Sequence, residues 1–97
     1  MSVLTITELN VKPESVNEFK AFAKENFPSA RAFKGCLGMQ LHINQDEPTN
    51  MVIVQEWETR EDSQKFAAWR VETGRAARTA AMESAPMSVR FFDKTDA

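Results

Sequence analysis

Between Gly35 and Trp57 the chain reads GCLGMQLHINQDEPTNMVIVQEW, two apolar runs around a polar, turn-rich segment. In the first run Leu37, Met39, Leu41 and Ile43 alternate with Gly38, Gln40, His42 and Asn44. A period of two belongs to a strand with one buried face. The second run, Met51–Trp57, is apolar and β-branched on both faces until Gln55 and Glu56. That suits a central strand covered on both sides. Asn44–Asn50 is rich in Asn, Asp and Pro, and it joins the two runs as an antiparallel hairpin with a long loop.

The remaining stretches are placed by how they cover this hairpin. Val3–Val11 has Val3, Thr5, Thr7, Leu9 and Val11 on one face and begins the other with Leu4 and Ile6, so it too reads as a central strand. Pro13 suits the first turn of a helix, where its missing N–H is not needed. Val16, Phe19, Phe22 and Ala23 then recur at helical spacing, which predicts an amphipathic helix with an aromatic inner face. Pro28 is expected to break or kink it near Phe27. Ser29–Phe33 would resume as a short helical segment, with Gly35 as a C-terminal cap. Thr59 and Asp62 resemble a capping box ahead of a second helix, on which Phe66, Trp69, Arg70 and Thr73 share a stripe and which Gly74 ends. Arg75–Ser84 is alanine-rich and helix-prone, and Pro86 closes it. Met87–Phe92 alternates as a fourth strand.

The order β-α-β-β-α-(α)-β is the split βαβ, or ferredoxin-like, α+β pattern with an antiparallel sheet. Right-handed crossovers place the first and third strands side by side in its centre, in agreement with their two apolar faces. Two or three helices cover only one face of such a sheet, and an exposed apolar face is unusual in a monomer. A homodimer packed sheet against sheet is therefore expected. An apolar ligand or a different partner would also cover that face.

The totals narrow the classes. A chain of 97 residues is one small domain, able to bury only about two-thirds of its unfolded surface. A formal net charge of -2 argues against an electrostatic nucleic-acid binder. No apolar run approaches the roughly 20 residues that span a bilayer, and MSVLTITEL lacks the basic start of a signal peptide. The one cysteine, Cys36, has no internal partner, which points to a reducing cytoplasm. One histidine and one cysteine at unrelated positions make no metal site. There is no phosphate loop, nucleophile elbow or Cys-x-x-Cys motif.

The element order, the turn FKGCLG before the second strand, and VIVQEWET leading into a helix resemble the antibiotic biosynthesis monooxygenase (ABM) family. The resemblance spans residues 2–93, and AAWRVETG (67–74) looks like a sub-group with a Trp-Arg pair on this helix. It implies a dimeric α+β barrel of ferredoxin-like chains. It also implies oxidation of a small aromatic or quinol with O₂ and no cofactor, although the family includes haem-degrading enzymes and members without known activity. Many members carry a histidine nine residues after the tryptophan of the strand. Here that position is Phe66, and no histidine follows Trp57, which argues against haem breakdown by a histidine-ligated iron.

Several residues offer chemistry, each beside a plainer role. His42, the only histidine, is either a base that deprotonates a phenol or quinol or an exposed residue on an edge strand. Trp57 and Trp69 stack an aromatic ligand or pack strand against helix. Arg70 holds a phenolate, carboxylate or developing semiquinone anion, or forms a salt bridge to Glu56 or across a dimer. Glu56 points opposite to Trp57 and reads as structural. Cys36, with only Lys34 as an evident basic neighbour, reads as a packing residue. The pocket is expected between helices and sheet, bounded by Phe19, Phe22, Trp57, Phe66, Trp69 and Arg70. A non-catalytic dimeric module that binds or sequesters a small aromatic is the alternative function.

Overall fold

A computed structural model describes residues 2–97. The elements run β1 (Val3–Asn10), a single 3₁₀ turn (Pro13–Ser15), α1 (Val16–Arg31), β2 (Cys36–Ile43), β3 (Asn50–Trp57), α2 (Arg60–Glu72), α3 (Arg75–Ala80) and β4 (Ser88–Asp93). The strands form one antiparallel sheet in the order β2-β3-β1-β4. The two strands with apolar residues on both faces are thus the central pair. This is the ferredoxin-like arrangement.

Register decides what each face carries. Leu9 pairs with Met51 and Thr7 with Ile53 across β1 and β3, and Met39 pairs with Gln55 across β2 and β3. These residues are buried beneath the helices, together with Trp57. The opposite face shows Leu4, Ile6, Val52, Val54 and Phe92 beside Glu8, Gln40, His42, Glu56 and Arg90, and none of the described elements covers it. A register shift between Cys36 and Gly38 moves Leu37 out of the alternation, leaving it 53% exposed. Sequence alternation had assigned it to the buried face. A β-bulge puts two residues opposite one and resets the period.

Helix α1 contributes Phe19, Phe22, Ala23, Phe27 and Ala30 to the core. It runs through Pro28 as one helix, without the break near Phe27 that was one of the two expected outcomes. Pro28 removes one backbone donor, but Phe27 and Ala30 on either side are buried, and this packing carries the helix on to Arg31. The helix then ends at Ala32, whose N–H reaches Pro28 O at 3.2 Å. Phe33 lies beyond the helix, and Gly35 sits at φ +87° in the turn before β2 instead of at the helix cap. Its carbonyl accepts from Glu58 N at 2.8 Å, tying the start of β2 to the end of β3.

At the start of α2, Thr59 Oγ1 accepts from Asp62 N at 3.1 Å, one half of a capping box. The end is a left-handed Gly74 (φ +78°), with Gly74 N donating to Val71 O at 3.2 Å. That turn starts α3, which stops at Ala80 and so is shorter than its alanine-rich sequence suggests. Glu83 bridges back to Val11, and this contact with the end of β1 draws the chain off the helical path.

Candidate functional site

The rings of Phe33, Trp57, Phe66 and Trp69 form one packed cluster between sheet and α2. Phe66 lies 5.2 Å from Trp57, 5.8 Å from Trp69 and 5.4 Å from Phe33, centroid to centroid. Its tilted and edge-on neighbours have the geometry that aromatic quadrupoles favour. Phe66 and Trp69 are three residues apart on α2, so one helical face delivers both. A cleft opens beside this cluster. Its apolar wall is Phe19, Phe22 and Phe27 of α1 with Phe66 and Trp69, its floor is Leu9, Met39 and Ile53, and its rim holds Arg70, Arg75 and Glu83.

The two tryptophans divide. Trp57 is fully buried and does not line the cleft, so its expected place at the pocket wall is corrected to one in the core behind it. Its indole Nε1–H donates to Gln55 Oε1 at 2.9 Å, and it is Gln55 that reaches the cleft. Trp69 is half-buried and forms part of the wall. Phe19, Phe22, Phe66 and Arg70 line the cleft as the sequence suggested.

Arg70 does not meet Glu56. That residue is on the uncovered face of the sheet, where Oε2 accepts from Ser2 Oγ at 2.7 Å. Arg70 Nη2 instead donates to Thr79 Oγ1 at 2.6 Å and to Arg75 O at 3.4 Å. Burial pulls its pKa down, Glu83 opposes that, and Arg75 adds to it. Burial pushes the Glu83 carboxyl up, against the pull of Arg70. His42, on β2, pairs with Val52 and projects from the uncovered face, so the sheet separates it from Arg70 and the cleft. The two proposed catalytic residues of one chain do not meet.

Cys36 is half-buried, and burial pushes its thiol up, outweighing Arg31 nearby. Arg31, not Lys34, is the cation that acts on it. Among the described residues no group of three or more His, Cys, Asp or Glu side chains gathers where it could hold a metal ion. No described helix is long and apolar enough to cross a membrane.

The sequence marks Arg75 only as part of a basic cluster with Arg70 and Arg78, and nothing in it points to Thr79 or Glu83 as site residues. Arg75 sits over the Trp69 ring, with its guanidinium carbon 4.3 Å from the centroid. A cation over an indole face is the strongest pairing of this kind. The clue available beforehand was the cluster Arg70, Arg75 and Arg78, but no periodicity links α2 to α3 across the Gly74 turn. The cleft is tight, with a volume of about 40 Å³, room for about three water molecules. Met39 and Met87 on its lining are adaptable side chains that can give way to a larger guest.

The fold has close counterparts among solved structures. A conserved protein of Methanosarcina mazei Go1 superposes with a TM-score of 0.88 at 15% identity, over 98% of this chain and 94% of that one. A structure named antibiotic biosynthesis monooxygenase gives 0.85 at 22% identity, over 96% and 98% of the two chains. A Mycobacterium tuberculosis protein gives 0.85 at 16%, over 100% and 98%. At these identities the likeness concerns the fold. No curated protein matches the sequence closely enough to count as a relative. Residues 2–74 match the profile of the antibiotic biosynthesis monooxygenase family, and by that match the chain belongs to it.

Proposed function

We propose that the protein is a cofactor-independent monooxygenase that oxidises a small aromatic or quinol with O₂, acting as a homodimer in the cytoplasm. The observation that carries this reading is a cleft walled by five aromatic side chains of α1 and α2, Phe19, Phe22, Phe27, Phe66 and Trp69, and rimmed by cations. An ionised phenol or quinol is electron-rich enough to pass an electron to O₂ without a metal or flavin. In this reading Arg70 holds the anion by charge-assisted hydrogen bonds, which strengthen in apolar surroundings. The aromatic wall orients the ring and keeps bulk water out. The sheet faces of two copies cover one another, with Leu4, Ile6, Val52, Val54 and Phe92 at their centre.

A second reading, a module that binds or sequesters a small aromatic without turning it over, is favoured by one observation. The cleft contains no histidine, because His42 is behind the sheet and Phe66 occupies the helix position. Oxygen uptake by metal-free protein with hydroquinones and anthrone-like phenols separates the two. Uptake above autoxidation that scales with protein, survives chelator and falls in Arg70→Ala and Trp69→Ala supports the oxygenase. Quenching of tryptophan fluorescence by the same compounds without uptake overturns it in favour of the binding module.

A further inference from the structure

The cleft rim carries more positive charge than its own residues neutralise. Arg75 Nε is buried and donates to nothing among the described residues, while the guanidinium carbon lies 4.3 Å from the centroid of the Trp69 ring. Arg70 donates, among the described residues, only to neutral acceptors, a hydroxyl and a carbonyl. Among the described residues the ion pairs are Lys65–Glu61 and Arg90–Glu8, so neither cleft arginine has a carboxylate within 4.0 Å. Glu83 is the one acidic side chain on the lining. Two guanidiniums therefore face one carboxyl group. A buried, charged donor without an acceptor is costly to maintain, and Arg75 belongs to the lining of a cleft whose Met39 and Met87 can give way to a guest.

We propose that the cleft selects a planar aromatic carrying one anionic oxygen group, a carboxylate or an ionised phenol, which Arg75 and Arg70 receive together. This rests on the reading of the cleft as a ligand site, and it adds Arg75 to Arg70 as the pair that selects for an anionic oxygen. The ring lies among Phe19, Phe22 and Phe66, and the anionic oxygen meets the guanidiniums of Arg75 and Arg70 at the rim. A neutral carbonyl would accept a hydrogen bond there but leave the net positive charge in place. An anion answers both. Arg75 is in this account the residue that sets specificity, and Glu83 weakens the attraction.

Benzoate and benzamide have nearly the same shape and differ in charge. Each is titrated into isotope-labelled protein at neutral pH, following backbone amides and the Trp69 indole N–H by NMR. Benzoate should bind about tenfold more tightly than benzamide. Arg75→Gln should abolish most of that preference, and Glu83→Gln, which removes the rim's anion, should enlarge it. Should Arg75→Gln not fold, Glu83→Gln decides alone, and an unchanged or smaller preference there overturns the proposal. Benzamide binding as tightly as benzoate overturns the charge selection and leaves the cleft a ligand site. No shift with either probe at millimolar concentration overturns both readings. Pentafluorophenol, ionised at neutral pH, separates the two sources: tighter binding than benzoate supports an ionised phenol as the ligand, weaker binding a carboxylate.

Discussion

Trp57 and Gln55 are two residues apart on β3, on the same face, and their side chains are joined inside the core by an indole N–H donating to Oε1 at 2.9 Å. The bond satisfies the one polar atom of the largest buried side chain. It also holds Gln55 where it lines the cleft. Removing the acceptor with Gln55→Leu should destabilise the protein by about 1–3 kcal/mol, the penalty of a buried unsatisfied donor. Trp57→Ala should cost about 3–5 kcal/mol through the cavity it leaves. Urea unfolding measures both. A Trp57→Ala protein as stable as the parent would take the residue out of the core.

Gly35 and Gly74 both have positive φ, and they test two different costs. A Cβ at Gly35 would collide with the Asp62 side chain, whereas one at Gly74 meets nothing within 4 Å. Gly74→Ala should lose about 1–2 kcal/mol for the left-handed backbone alone. Gly35→Ala should lose that and about 1–3 kcal/mol more from overpacking, lowering Tm by roughly 10 °C or beyond. Equal losses at the two sites would mean that Asp62 moves aside freely.

Glu83 should make stability depend on pH. Burial raises its carboxyl pKa in the folded state, with Arg70 opposing; Arg75 shares the rim. A raised folded-state pKa means that the folded protein holds the proton more readily than the unfolded chain. The resulting stabilisation is present at low pH and lost as pH rises through the folded pKa. Glu83→Gln never ionises, so it should melt higher than the parent at neutral pH, with the gain gone by about pH 4. A variant that melts lower at neutral pH would show that attraction to Arg70 outweighs burial.

Leu4 and Phe92 are register partners on β1 and β4, and each is about two-fifths exposed on the uncovered sheet face. If two copies pack there, light scattering at micromolar concentration should give twice the chain mass. Leu4→Glu should return it to one chain, because burying an unpaired charge is unfavourable. A monomer mass for the parent would remove the homodimer from the proposal. His42, on the same face at the sheet edge, should then be replaceable by Ala without loss of ligand binding in the cleft.

The element order was legible because its signals are local. Period two from Met39 to Ile43, helical spacing from Val16 to Ala23 and the Thr59 cap each depend on a few neighbouring residues, and each reappears in the structure. The centre of the sheet was legible for the same reason, since Val3–Val11 and Met51–Val54 show apolar residues on both faces. Pro28 misled because a local rule was opposed by packing: Phe27 and Ala30 bury themselves on either side of the proline. Leu37 misled because alternation carries no mark of a bulge.

By itself, then, the sequence determined a split βαβ chain, an aromatic inner face on α1 and a Phe66–Trp69–Arg70 stripe on α2, all consequences of backbone periods of two and 3.6 residues. Only the tertiary structure decided that Trp57 belongs to the core and Trp69 to the cleft, that His42 is behind the sheet, and that Arg70, Arg75 and Glu83 share one rim. Those outcomes turn on how α2 and α3 meet across the Gly74 turn and on where Glu83 joins Val11. Such distances between elements come from packing, which no period in the chain encodes.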